Sequence, residues 1–156
     1  MFKIPDLYAP IIPGKSAAGI EVGGTVKGFI QRAMPTLTTE FSTVVVRYEF
    51  GPVVKVWVRQ GVVDKVGVYA GYHGLLDGKI GFGSTIAEIE DWCRGQVEED
   101  EEDNLIAPES PGWCFDTEYW VGDHTVSSNR NAAVNQIRTL VQVEFVGLGW
   151  FQSSNI

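Results

Sequence analysis

Apolar and polar residues alternate with a period of two along 43–69. Val44, Val46, Tyr48 and Phe50 fall on one side of an extended chain, with Val45, Arg47 and Glu49 on the other. Gly51-Pro52 turns the chain, and Val54, Val56 and Val58 then alternate with Lys55, Trp57 and Arg59. Gln60-Gly61 turns it again into a third strand over 62–69. Three such runs predict an antiparallel meander with one buried face. Further on, 113–121 is predicted as a strand, with Cys114, Asp116, Glu118 and Trp120 on one face and Phe115, Thr117 and Tyr119 on the other. A polar hairpin loop is expected over 122–130. A long strand follows over 132–145, with a bulge near Arg138-Thr139.

Helical periodicity is confined to two short stretches, and these look alike. Residues 19–29 read GIEVGGTVKGF and residues 79–89 read KIGFGSTIAEI. At an offset of 60, Ile20 matches Ile80, Gly23 matches Gly83 and Thr25 matches Thr85. In each copy an apolar residue precedes a Gly turn, an N-cap hydroxyl and a short amphipathic helix. In the second copy Thr85 and Glu88 have capping-box spacing, and Ile86, Ile89 and Cys93 share a face with Trp92 beside them. Glu88, Glu90 and Asp91 suit the helix dipole, and Gly95 is the expected stop. The first helix is predicted over 26–34, with Gly28 inside it and Pro35 ending it. The expected fold is therefore α+β: two tandem units of a short helix followed by antiparallel strands, packed as one compact domain. The units span about 19–78 and 79–147, between an N-terminal segment 1–18 and a tail 148–156 that carries Trp150 and Phe151.

The apolar-x-x-Gly-x-Thr-x-x-x-apolar element, matched at 23–29 and 83–89, resembles the signature of the BamE/SmpA-like fold and of the beta-lactamase inhibitor protein. The resemblance implies a Gly-x-Thr turn, a short helix and antiparallel strands, which the inhibitor protein carries twice in tandem at a similar length. It covers about a tenth of the chain. The chain departs from those families in having only two cysteines and no lipoprotein cysteine. Its first residues, broken by Pro5, Pro10 and Pro13, do not read as a secretion signal. No binding residue carries over.

Composition is that of a globular chain, 44% hydrophobic and 21% charged. Charge changes the picture more. The net charge is −8, but 1–78 holds 8 Lys/Arg against 6 Asp/Glu, whereas 79–156 holds 4 against 14. One half is about +2 and the other about −10. Such a protein repels nucleic acid and anionic membranes and attracts basic partners. No apolar run is long enough to span a membrane, and the expected location is cytoplasmic. Cys93 and Cys114 read as reduced thiols, with a single bridge left open.

Candidate catalytic motifs fail on spacing. Pro13-Gly14-Lys15-Ser16 ends like a P-loop, but Ala9 stands where the first Gly is required. Gly81-Phe82-Gly83 begins like a dinucleotide fingerprint, with Ile86 in place of the third Gly. Ser84 lacks the flanking glycines of a nucleophile elbow. Cys93, Cys114, His73 and His124 lack the paired spacings of a zinc site. The chain is therefore read as a non-enzyme with no metal and no cofactor.

The strongest binding signal is the run Glu98, Glu99, Asp100, Glu101, Glu102 and Asp103, followed by Trp113, Asp116, Glu118 and Trp120. Acids beside aromatics suit a surface that captures a cationic protein. By type, small acidic motif-free proteins resemble bacterial immunity proteins. The expectation is thus an acidic immunity or inhibitor protein that binds and neutralises a basic toxin domain. The alternative is a small-ligand pocket between the units, with Tyr72, His73, Asp123 and His124 as candidates.

Overall fold

The computed structural model describes residues 5–101, 104–117 and 133–140. The alternating stretch folds as read from its pattern. Strand β4 (Val45–Phe50), β5 (Val54–Arg59) and β6 (Val62–Tyr69) form an antiparallel meander, with β3 (Leu37–Glu40) added outside β4. At the β5–β6 hairpin Gln60 and Gly61 both have positive φ, 51° and 79°. That is the backbone a tight two-residue hairpin requires.

The second half supplies β7 (Glu98–Glu99), β8 (Leu105–Ile106), β9 (Trp113–Thr117) and β10 (Val134–Leu140). All eight strands join in one antiparallel sheet in the order β3-β4-β5-β6-β10-β9-β8-β7. Two meanders thus meet along their last strands, β6 and β10. A separate two-stranded hairpin pairs β1 (Ser16–Ala17) with β2 (Ile20–Glu21).

The expected α+β fold of two helix-then-strands units is overturned. Among the described residues the fold is mostly β, and the sheet is shared rather than divided between units. Helix is limited to α1, the single turn Lys27–Ile30, and α2, the eight residues Ile86–Cys93. The reason lies in the Gly-x-Thr turns. Gly23 N–H donates to the Val63 carbonyl at 2.8 Å, and Val63 N–H donates back to Gly24 at 2.8 Å. Gly83 N–H donates to Val134 at 3.2 Å, and Val134 N–H donates back to Ser84 at 2.8 Å. The repeated sequence therefore marks a backbone clamp onto the starts of the two central strands. In the first copy the clamp does not become a helix cap: Val26 occupies the cap position with no side-chain bond. In the second copy Thr85 accepts from Glu88 N–H at 3.1 Å, as the capping-box spacing predicts. The helix ends with Arg94, rather than Gly95, in the left-handed conformation.

Register assigns the faces of the sheet. Val54, Val56, Val58, Val63, Val66, Val68, Phe115 and Ile137 lie on one face, and none is more than 4% exposed. α2 packs here through Ile86 and Ile89, and the N-terminal segment through Ile11, Ala17, Ala18 and Ile20. Thr139, on the same face, accepts from Gly14 N–H at 2.8 Å. Tyr72 ties the N-terminal layer down: its hydroxyl accepts from Ala18 N–H and donates to the Ala9 carbonyl. Among the described residues no helix is long and apolar enough to cross a membrane.

Candidate functional site

Glutamates have low strand propensity, yet Glu98 and Glu99 form β7, the outermost strand at one end of the sheet among the described residues. Asp100 closes the turn into β8. Its backbone N–H donates to the Asn104 carbonyl, and its carboxylate accepts from Asn104 N–H at 2.9 Å and from Asn104 Nδ2 at 3.2 Å. Glu98, Glu99 and Glu101 are exposed. Glu102 and Asp103 lie outside the described residues, as do Glu118 and Trp120.

Trp113 is corrected from a surface anchor to a core residue. It is 2% exposed, on the helix-covered face, stacked on Phe115 at 5.2 Å and edge-on to Trp92 of α2 at 6.4 Å. Its indole N–H is satisfied by Ser110 Oγ. Asp116 points to the opposite face. There its carboxylate takes the Arg138 guanidinium at 3.1 Å. Arg138 also donates to Asn104 Oδ1 at 2.8 Å. A polar chain thus runs from β10 through Asp116 and Asn104 to Asp100 beside the acidic edge. Burial raises the Asp116 carboxyl above its ordinary range, and Arg138 only partly offsets this.

That second face also carries side chains the sequence reading did not single out. Arg47, Trp57 and Lys65 lie directly across from one another on β4, β5 and β6. Lys65 Nζ sits 4.4 Å from the Trp57 ring centroid and the Arg47 guanidinium 5.9 Å from it. Glu49 accepts from Arg47 at 3.2 Å and holds Lys55 Nζ at 3.7 Å. Lys55 lies over the Tyr69 ring at 5.0 Å. Gly67 leaves room for this layer, since a Cβ there would stand 2.9 Å from the Tyr69 hydroxyl and 3.2 Å from Arg138 Cγ. The signal was present in the alternation of Lys55, Trp57 and Arg59 against three valines.

Of the four residues named for the pocket alternative, Tyr72 and His73 are described. Tyr72 is 5% exposed and used in the N-terminal tie, while His73 is exposed and stacks on Tyr8 at 4.8 Å. Asp123 and His124 are outside the described residues. A cleft of about 400 Å³ lies elsewhere, lined by Ile20, Glu21, Thr25, Phe29, Arg32 and Val63 among others. Ser84 Oγ accepts from Gly81 N–H at 3.0 Å and shapes the turn. Among the described residues no group of three His, Cys, Asp or Glu stands close enough to hold a metal ion.

Both cysteines are free thiols. Cys93 is half-buried on α2, whereas Cys114 is 1% exposed on β9, where burial pushes its thiol up to about 11. Native protein at pH 8 is expected to react with a thiol reagent at Cys93 and to protect Cys114 until denaturant is added. Two equivalents reacting at one fast rate would contradict this placement.

No family model, curated protein or solved structure matches this chain.

Proposed function

We propose that the chain is a protein-binding module that takes a basic protein domain against its acidic edge, as an immunity or inhibitor protein neutralising a toxin would. The observation that carries this reading is the placement of Glu98, Glu99 and Glu101, exposed at the end of the sheet formed by the described residues, on a hairpin that Asp100 and Asn104 close. Like charges brought together on an ordered edge repel one another, and a cationic surface set against them relieves that repulsion. Ordering them also fixes the direction from which such a surface would approach. The half-chain charges of about +2 and about −10 put most of the acid in the half of the sequence that carries this edge. The reading assigns no catalytic step, no cofactor and no nucleic acid.

The test begins with immobilised full chain and identifies the basic protein it retains at low salt. Association is then compared with E98Q/E99Q/E101Q, which spares the turn-closing Asp100. The variant's association rate should fall roughly tenfold or more, with a flatter dependence on salt and an unchanged melting curve. Retention of no basic protein, or equal rates and equal salt slopes, would sink the assignment.

A further inference from the structure

We infer that the second face of the sheet holds a separate site, around Trp57 and Arg59, for carboxylates of an extended acidic peptide segment of a partner protein. It goes beyond the acidic-edge reading and stands on other residues.

Unused hydrogen-bond donors motivate it. Buried N–H groups nearly always find an acceptor, so an orphaned one calls for an explanation. On this face the indole Nε1 of Trp57 and the Nε of Arg47, Arg59 and Arg138 are all buried without an acceptor among the described residues. Trp57 itself is only 5% exposed. Three of the four are neighbours. Arg47 stands directly across from Trp57, and Arg59 lies two residues further along the same strand and face. All are donors and none can accept, so what completes them is an acceptor.

Charge indicates which acceptor. Glu49 is shared between Arg47 and Lys55 and cannot neutralise both. Arg59 makes no ion pair with the described residues. An anion is therefore favoured over a neutral carbonyl, and a guanidinium fork fits a carboxylate well.

The surroundings favour a peptide over a free ion. Leu37 pairs with Glu49 across β3–β4, so it lies on this same face, and it is 53% exposed. Phe41 is 47% exposed and lies 5.0 Å under the Arg47 guanidinium. β3 is the outer strand at this end of the sheet. Among the described residues no strand pairs with its outer edge, and that edge, with exposed apolar side chains beside cations, suits an extended segment that alternates acidic and apolar residues. The arginine and tryptophan content is that of interface hot spots.

The test follows the Trp57 indole N–H resonance of the full chain, assigned by its loss in W57F. The probes are a peptide alternating Asp and Leu, the same peptide with Asn for Asp, inorganic phosphate, and an oligothymidylate. Only the Asp–Leu peptide should move the resonance downfield to saturation. R59Q should weaken that binding about tenfold at an unchanged thermal midpoint, with R59K in between. No shift with the Asp–Leu peptide, or an equal shift with its Asn counterpart, would overturn the site. Saturation of the same resonance by phosphate or by the oligothymidylate would overturn the peptide assignment.

Discussion

Phe115→Ala is expected to cost the fold about 3–5 kcal/mol, the range for removing a buried aromatic ring. Phe115 is 0% exposed and central to the half of the sheet that the acidic edge depends on. It pairs with Ile137 of β10 on one side and Leu105 of β8 on the other. Its ring stacks on Trp113, which in turn meets Trp92 of α2. Truncation opens a cavity bounded by strands on both sides, and a hydrogen-bonded sheet cannot close laterally to fill it. Total stability of a domain is about 5–15 kcal/mol, so the variant should stand near the limit of folding. Its midpoint should fall by roughly 6–20 °C at about 2–4 °C per kcal/mol. Urea unfolding of both proteins measures the difference directly. A loss below about 1 kcal/mol would mean that the ring is not the centre of this layer. Phe41→Ala, at a ring 47% exposed, is the control and should shift stability by no more than about 0.5 kcal/mol.

The contrast between these two phenylalanines shows how far the pattern of residues reaches. β4, β5 and β6 were legible because Val54, Val56 and Val58 alternate with polar residues beside strong turns. The bulge that sets two residues, Val63 and Lys65, against adjacent Val58 and Trp57 was not. It is a matter of register, and register is decided by the partner strand. Past Asp64 it carries Lys65 to the second face and Val66 to the first. The helices were overread because a Gly-x-Thr turn has the same local chemistry whether it caps a helix or bridges to a strand. Thr85 does both, with a helix after it and a backbone bridge to Ala133. Thr25 bridges to Val62 and is followed by a single turn. Trp113 was misplaced for a related reason. Its neighbours Cys114 and Phe115 are both buried, so on this strand both faces are covered and alternation no longer separates core from surface. The acidic hairpin was hidden because its closure rests on one Asp–Asn pair, which outweighs the poor strand propensity of two glutamates.

Arg138→Gln should destabilise the protein by about 2–3 kcal/mol at pH 7 and also change how stability depends on pH. The side chains of Arg138 and Asp116 are 12% and 23% exposed, so removal takes the Arg138 cation away from a carboxylate that is largely out of water. In the folded wild type the Asp116 carboxyl is already raised, burial being the larger cause, with Asp100 adding to it and Arg138 opposing. A carboxyl raised by folding binds its proton more tightly folded than unfolded. Its ionised form therefore weakens the fold above the folded pKa, and that penalty is relieved as pH falls through it. Without Arg138 the carboxyl rises further, so the penalty at pH 7 grows and its relief begins at a higher pH. The stability gap between wild type and R138Q should accordingly narrow as pH is lowered from 7 toward about 4, near the ordinary Asp value. In the D116N background the gap should lose this pH dependence and keep only what Arg138 contributes through Asn104 Oδ1. A gap that stays constant over the range would show that the pair does not govern the titration. Because Asn104 also closes the Asp100 turn, R138Q should speed amide exchange at β7 and β8 more than at β4 and β5. Equal exchange at both ends of the sheet would detach the acidic edge from the polar chain that supports it.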